Sequence, residues 1–388
     1  MRKIFLFLCL SGLLMTTGFS KVEDSSNFFA IDLYKVLSKK SGNIFFSPFS
    51  ISSALAMTYM GAGGNTAAQM RKVLYFDLEE ETLHSGFSNL MDSLNQPNEN
   101  YQLSIANSIW AQEGYPFLKE FFERLQSYYQ AGLNFVDFVN KRDEAREKIN
   151  KWVEEKTNQK IKDIIKPDDI DELTRLVLVN AIYFKGAWLE PFDPSSTRKD
   201  KFYISQNESK EVDMMFRNLF ANYTETSSVQ VLELPYAGNQ ISMIVVLPKK
   251  DKDLKQIEKD ICLELLKEWK GDMRKTSVDV YLPKFKTECR FNLKDTLMSM
   301  GMVDAFTDAA DLSKMDGTRL LKIKDVIHQS FVEVNEQGTE AAAATAVIIG
   351  IKMAPTMPVV FKADRPFIFF IYDNLHDLIL FMGRLSNP

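Results

Sequence analysis

The chain has few of the residues from which most catalytic and metal sites are built. Among its 388 residues only three are histidine and three are cysteine. It contains no H-E-x-x-H, C-x-x-C, G-x-S-x-G or P-loop motif, which are common signatures of metalloproteases, redox proteins, hydrolases and nucleotide-binding proteins. We therefore expect no cofactor and no metal. A hydrolase with triad residues scattered along the chain stays open, because triads are recognised by geometry.

Cysteine is too sparse to form a disulfide scaffold. Cys9 lies in the apolar N-terminal segment, which leaves Cys262 and Cys289 in the rest of the chain. The fold must therefore depend on a hydrophobic core, which a chain of this length with 45% hydrophobic residues can supply. The sequence leaves open whether these two cysteines form one bridge or remain thiols.

The chain also lacks the basic excess of a nucleic-acid or polyanion binder. Its formal net charge is −5. The lysines and arginines between residues 141 and 162 are interleaved with acids, and residues 79–95 contain no Lys or Arg. We expect no nucleic-acid partner and a monomeric chain, whereas glycosaminoglycan binding is disfavoured but stays open.

The N-terminus has the pattern of a secretory signal. Arg2 and Lys3 precede an apolar run at residues 4–15, and the small residues Gly18 and Ser20 follow. This pattern predicts cleavage after Ser20, secretion, and a single mature domain at residues 21–388. The alternative, an N-terminal membrane anchor, is disfavoured because the run is shorter than the roughly 20 residues that a span needs. No later segment is long and apolar enough to cross a bilayer, so no membrane association is expected.

The chain contains two N-x-S/T sequons, which are relevant because the chain is predicted to be secreted. Asn207 and Asn222 begin them, and both are predicted to be glycosylated surface positions. The alternative at each is an unused sequon.

The periodicity of the sequence predicts an α+β fold. Apolar residues recur at helical spacing near the N-terminus, and nearly continuous apolar runs later in the chain indicate buried strands. The two C-terminal strands are separated by five polar-rich residues and are predicted to form a hairpin. The predicted helices are 25–39 and 141–160, and the predicted strands are 174–184, 240–247, 367–372 and 378–381.

Residues 336–353 (EQGTEAAAATAVIIGIKM) are rich in small side chains and show no strong structural preference. The alanines favour a helix, whereas the branched residues after them favour a strand. An Ala-rich helix is one interpretation. As a strand, however, the segment would place only small or apolar residues on one face, so it could enter a sheet at little steric cost. That face would consist of Thr339, Ala341, Ala343, Thr345, Val347 and Ile349.

This segment resembles the hinge and reactive loop of the serpin family, and other motifs in the same order support the resemblance. They are residues 43–50 (NIFFSPFS), 178–188 (LVNAIYFKGAW), 234–236 (LPY), 282–285 (LPKF), 365–367 (RPF) and 381–384 (FMGR). The resemblance covers essentially the whole mature chain. It implies three β-sheets, about nine helices and an exposed loop at about residues 336–357.

The resemblance also implies a mechanism in which a protease cleaves the loop and becomes acylated. The loop then inserts into the main sheet as a new strand. From Gly338 to Lys352 the loop could span about 50 Å at roughly 3.3 Å per residue. Moving a protease that far would distort its catalytic site before deacylation.

The resemblance also assigns roles to individual residues of this chain. Glu336 matches the acid at the loop base, Lys284 its basic partner, and Trp188 lies where the sheet first opens. The predicted hinge comprises Glu336, Gly338, Thr339, Glu340, Ala341, Ala342, Ala343 and Ala344. The polar cluster that gates insertion is predicted to comprise Ser47, Ser50, Asn180 and His328.

Counting Glu336 as the first position, the seventeenth, where family inhibitors are usually cleaved, is Lys352, and the scissile bond is Lys352–Met353. A lysine there implies a covalent complex with a trypsin-like serine protease, because such enzymes hold an acid in a dry specificity pocket. A one-residue slip would instead expose Ile351 or Met353 to chymotrypsin-like or elastase-like enzymes.

The sequence thus predicts a secreted inhibitor in an extracellular protease cascade. The alternatives are a non-inhibitory serpin (a carrier, storage protein or chaperone) and an inhibitor of cysteine proteases. The small hinge residues favour inhibition.

Overall fold

The computed structural model describes residues 21–129, 132–339 and 357–388. The predicted signal peptide, the hinge residues Glu340 to Ala344 and the predicted scissile bond Lys352–Met353 lie outside these ranges. The described residues have the predicted α+β composition, with helices prominent in the first third and strands in the last half. No helix among them is long and apolar enough to cross a membrane.

The described residues form ten α-helices. They are α1 (Val22–Leu37), α2 (Pro48–Tyr59), α3 (Gly64–Leu74), α4 (Glu80–Leu94), α5 (Lys119–Tyr129), α6 (Arg142–Lys156), α7 (Leu254–Asp260), α8 (Leu263–Asp272), α9 (Lys294–Met300) and α10 (Ser313–Asp316). Helix α1 forms because Phe29, Leu33 and Leu37 recur every four residues and all three are buried. Helix α2 begins at a Ser47 cap with Pro48 as its first residue.

Fifteen strands complete the described fold. They are β1 (Ile44–Phe46), β2 (Tyr101–Gln112), β3 (Gly132–Val136), β4 (Leu176–Ala187), β5 (Arg198–Tyr203), β6 (Ser209–Glu225), β7 (Val229–Pro235), β8 (Ile241–Pro248), β9 (Arg274–Pro283), β10 (Phe285–Asn292), β11 (Ile327–Asn335), β12 (Gly338–Thr339), β13 (Val359–Lys362), β14 (Phe367–Asp373) and β15 (Leu378–Leu385).

Most strands belong to one nine-stranded network. Its order is β1-β15-β14-β8-β7-β6-β9-β13, with β5 also paired to β6. The 17-residue strand β6 pairs with β9 along one edge and with β5 and β7 near the two ends of its other edge. It therefore joins two of the three sheets implied by the resemblance into one hydrogen-bonded group.

The other sheet has six strands in the order β10-β11-β12-β4-β2-β3. The main core covers one face, and α6 packs on the other through a second apolar cluster that includes Trp110, Ile149 and Val153. Because both faces are covered, most of the middle of β4 is buried without alternation, as its continuous apolar sequence predicts.

The predicted elements agree with the structure to within a few residues. The C-terminal hairpin is confirmed, since β14 and β15 pair antiparallel. The predicted helix 141–160 ends early, at Lys156, because Asn158 and Gln159 adopt positive φ angles of 49° and 62°.

Candidate functional site: the seam between β11 and β4

The base of the predicted loop is seated inside the six-stranded sheet. After β11 the chain turns at Asn335, whose side-chain oxygen accepts the Gln337 N–H at 3.0 Å. Strand β12 then runs antiparallel to both neighbours. Gly338 lies opposite Asn335 and Ala187, and Thr339 lies opposite Val334 and Gly186. The first hinge residues therefore already occupy the position of a new central strand.

Thr339 is fixed by a buried hydrogen bond. Its side chain is almost fully buried, and its hydroxyl lies 2.6 Å from the Tyr236 hydroxyl. Burial raises the pKa of Tyr236, which keeps that phenol protonated. Because Thr339 faces the core, a loop that continued β12 as a strand would also direct the small-residue face predicted from the sequence toward the core.

Gly338 is required by space and by backbone conformation. Its φ angle is +152°, and a Cβ at this position would lie 2.0 Å from the carbonyl oxygen of Gly186. No side chain fits this close approach without moving β4 or β12. Any substitution should therefore displace the seated hinge.

Trp188 holds the turn beneath the hinge. Its indole N–H donates to the Asn335 carbonyl at 3.0 Å, and its backbone N–H donates to the Gln337 carbonyl at 2.8 Å. The indole stacks on Tyr236 with ring centroids 4.6 Å apart. The residue assigned to the opening of the sheet thus contacts both the hinge turn and the tyrosine that binds Thr339.

Glu336 and Lys284 form the ion pair expected at the loop base. Lys284 Nζ lies 2.9 and 3.1 Å from the two carboxylate oxygens of Glu336, and the Thr197 hydroxyl donates to the same carboxylate at 2.9 Å. Burial alone would raise the pKa of Glu336, but the hydrogen bonds, chiefly from Lys284, outweigh it and hold the pKa below its usual value. The Glu336 carbonyl also accepts the Phe192 N–H at 2.7 Å.

The seam between β11 and β4 is closed at both ends and unpaired between them. At one end β12 separates the strands; at the other, residues 327–329 of β11 pair directly and in parallel with residues 179–181 of β4. Within the described part of the chain, residues 330–333 and 182–185 form no ladder across this seam. The six-stranded sheet therefore contains an incompletely filled strand position.

A buried polar cluster closes the far end of the seam. His328 lies directly opposite Asn180, and its Nδ1 is 3.0 Å from the Asn180 side-chain oxygen. Its Nε2 accepts the Ser47 N–H at 3.1 Å, so Nδ1 carries the proton of the neutral ring. Burial lowers the His328 pKa to about 3. The Asn180 amide nitrogen donates to the Ser50 carbonyl at 2.6 Å.

The structure thus brings together the four polar residues named from the sequence, and it adds two that sequence reasoning missed. The Asn180 amide also reaches the Asn107 side-chain oxygen at 2.5 Å, and the Asn107 amide donates to the Ser53 hydroxyl at 2.8 Å. The available signal was the run of serines in the otherwise apolar helix α2, because buried polar side chains need partners.

The remaining candidate residues lie elsewhere. Asn207 is exposed in the loop between β5 and β6. Asn222 is half-buried within β6, where its amide donates to Glu233 at 2.6 Å. Cys262 and Cys289, both in the described part of the chain, are not joined by a disulfide, and burial raises the pKa of Cys289. The described residues contain no group of three or more His, Cys, Asp or Glu able to hold a metal.

Comparisons with known proteins agree with this geometry. The family model Serpin (serine protease inhibitor) matches residues 24–388. Serpin B3 of Homo sapiens is 42% identical over 390 residues, covering 95% of this chain and all of the relative. The leukocyte elastase inhibitor of Xenopus laevis is 44% identical over 378 residues, covering 95% and 99%. The structure of uncleaved ovalbumin has a TM-score of 0.87 at 34% identity, covering 95% and 100%. The chain belongs to the serpin family of protease inhibitors and has the serpin fold.

Proposed function

We propose that this serpin inhibits trypsin-like serine proteases by offering Lys352–Met353 for cleavage and then inserting its loop into the seam between β11 and β4. The observation that carries the proposal is the seat of Gly338 and Thr339 between these strands. Cleavage would free the loop to continue β12 along the unfilled strand position.

The register of β12 defines the inserted strand. Thr339 lies opposite Val334 and Gly186, and both pairings are antiparallel, so each step forward in the loop moves one step back along both neighbours. Six steps place Thr345 opposite His328 and Asn180, which already face each other. Insertion would therefore have to separate His328 from Asn180.

The residues that would enter are suited to this position. On this register residues 341–346 are four alanines, Thr345 and Ala346, and they bring no charge or bulky group into the sheet. A short parallel pairing would be replaced by two antiparallel ladders, which are the more stable arrangement per residue. This gain supports insertion as an energetically downhill step after cleavage.

The target class rests on the count from Glu336. Its contacts with Lys284 and Thr197 fix the loop base, and the family spacing from there selects Lys352. A lysine fits a pocket with a buried acid, as in trypsin-like proteases. The signal-like N-terminus supports action outside the cell, in control of an extracellular protease cascade.

An elastase-like target is the second candidate, favoured by one specific finding. A relative that is 44% identical is named leukocyte elastase inhibitor. A register one residue earlier or later would expose Ile351 or Met353 as the cleaved residue. Sequencing of the cleaved product distinguishes the two candidates.

The test mixes residues 21–388 with trypsin at a slight excess of the serpin, followed by a denaturing gel. We expect a stable band near the summed mass and a released peptide that begins at Met353. Lys352→Ala should abolish the band while leaving the thermal unfolding temperature unchanged. Cleavage without a stable band, or unchanged inhibition by Lys352→Ala, would contradict the proposal.

A further inference from the structure

An exposed serine contacts a histidine that a buried aspartate orients, on elements that do not include the hinge. The Ser93 hydroxyl oxygen lies 3.1 Å from His376 Nε2, and His376 Nδ1 lies 2.7 Å from an Asp373 carboxylate oxygen. This order, in which a nucleophile contacts a base that a carboxylate orients, is the arrangement of a Ser-His-Asp triad. Asp373 and His376 lie three residues apart in one turn, whereas Ser93 is distant in sequence and is brought to them by the fold.

The β14–β15 turn holds the base firmly. Asp373 is fully buried, and its other carboxylate oxygen accepts the N–H groups of Leu375 and His376 at 2.8 and 3.3 Å. The turn is anchored to α1, because the Asn27 amide donates to the Asp377 carbonyl at 2.7 Å and the Asn27 oxygen accepts the Ile379 N–H at 2.8 Å. The imidazole is thus positioned by fixed backbone.

The hydrogen bonds also define the tautomer of His376. A carboxylate can only accept, so Nδ1 carries the proton, and in the neutral ring Nε2 is then the acceptor. The Ser93 hydroxyl must donate to Nε2, which is the direction that general-base catalysis requires. Ser93 is exposed near the end of α4, so a reagent can reach it.

The position on the helix limits the chemistry. The last turn of a helix presents carbonyl groups, not N–H groups, so α4 supplies no donor for a developing oxyanion. Loss of an oxyanion donor costs about 10²–10³-fold in rate. Reactivity toward activated electrophiles is therefore expected, whereas turnover of peptides is not.

We propose that Ser93 is an activated nucleophile that accepts phosphonyl or acyl groups from activated phosphonates and esters. With an alkyl fluorophosphonate, Ser93 Oγ forms the bond to phosphorus, its proton passes to His376 Nε2, and the P–F bond breaks to release fluoride. With an aryl ester, Oγ forms the bond to the carbonyl carbon, the bond from that carbon to the aryl oxygen breaks, and the aryl oxygen takes the proton from His376 Nε2 and leaves as a phenol. The exposed Leu375 in the same turn offers apolar surface for an alkyl chain.

The experiment treats residues 21–388 with an alkyl fluorophosphonate and maps adducts by peptide mass spectrometry. Ser127 is the matched internal control, because it is also exposed near the end of a helix, but its hydroxyl donates to the Arg124 carbonyl and not to an imidazole. We expect Ser93 to react about 10²-fold faster than Ser127, the contribution typical of a positioned base. Site mapping also separates this adduct from any labelled contaminant.

Two variants assign the cause. Ser93→Ala should remove the adduct, and His376→Gln should lower labelling of Ser93 to the rate of Ser127. Trapping of trypsin should be unchanged by Ser93→Ala, because the hinge shares no residue with this cluster. Equal labelling of Ser93 and Ser127 in the unmodified protein, or labelling of Ser93 that survives His376→Gln, would overturn the proposal.

Discussion

The two ends of the seam between β11 and β4 are closed by different means. At the hinge end the closure is a piece of backbone, Gly338 and Thr339, which pairs with both strands. At the far end the strands touch directly, and a side-chain network centred on His328 and Asn180 stands at the contact. The first closure can lengthen into a strand, whereas the second must open. The sheet is therefore prepared to fill from one direction only.

The largest expected effect comes from a charge at the hinge end. Thr339→Arg would place a guanidinium against the buried Tyr236, and burying an unpaired charge costs several kcal/mol. Deacylation should then outrun insertion, so trypsin should cleave the variant without being trapped. The ratio of complex to cleaved serpin on a denaturing gel measures this. Thr339→Ser, which keeps the hydroxyl, is the control and should still trap; trapping by the arginine variant would refute the insertion register.

Truncation of the Asn180 side chain at the far end should mainly reduce the stability of the protein. Asn180→Ala removes hydrogen-bond partners from His328, Ser50 and Asn107, and each buried group left unpaired costs about 1–3 kcal/mol. We expect a clear fall in the thermal unfolding temperature, read by circular dichroism. Ser53→Ala removes a partner from Asn107 and from the Ser50 carbonyl, which keeps its Asn180 donor, and should cost less. Equal losses in the two variants would argue against Asn180 as the centre of the closure.

The far end should also carry a pH dependence, and it should begin at a higher pH than that of the ion pair beside the hinge. His328 is held neutral, with its pKa lowered from 6.5 to about 3 by burial. As the pH falls, the histidine of the unfolded chain is protonated before His328 of the folded protein. The contribution of neutral His328 to the free energy of unfolding is therefore fully present above pH 6.5. It is lost as the pH falls toward 3, with a slope of about 1.4 kcal/mol per pH unit. Urea unfolding of the unmodified protein and of His328→Gln should show a stability difference that shrinks over this range. A difference that does not change with pH would contradict the assignment.

The smallest effect is expected from the ion pair beside the hinge. Lys284 is partly exposed, so Lys284→Met should cost about 1 kcal/mol or less. Because the pKa of Glu336 is lowered in the folded protein, the stabilisation by the ion pair is fully present above pH 4.5, the ordinary pKa of the carboxyl group. It is lost as the pH falls through the pKa that Glu336 has in the folded protein. Urea unfolding at neutral and acid pH measures it. A loss of trapping in this variant would show that the ion pair does more than fix the loop base.

The sequence was most informative where one physical pattern dominated. The apolar run of β4 predicted a strand buried on both faces, and the structure confirms it. Of the predicted small-residue face only Thr339 is described, and its buried hydroxyl points inward, so the rest of that face stays a prediction. Resemblance, not periodicity, supplied Glu336 with Lys284 and His328 with Asn180, because these pairs are far apart in the chain and no local rule links them.

Other features could not be predicted because they depend on three-dimensional placement. Asn107 contacts Asn180 at the far end of the seam because the register of β2 places the two residues opposite each other. No spacing in the sequence predicts that contact. The early end of α6 depends on two residues with positive φ that are not glycine. Ser93 and His376 meet only because the β14–β15 turn lies beside the end of α4.

Hydrogen–deuterium exchange before and after trypsin cleavage tests the central claim most directly. The unfilled stretch of the seam comprises residues 182–185 of β4 and 330–333 of β11, whose outer edges already pair with β2 and β10. If the cleaved loop enters as the continuation of β12, the amides in these stretches that face the seam should become strongly protected. Thr339→Arg, cleaved in the same way, should show less protection. Unchanged exchange in the cleaved unmodified protein would mean that the loop does not fill the seam.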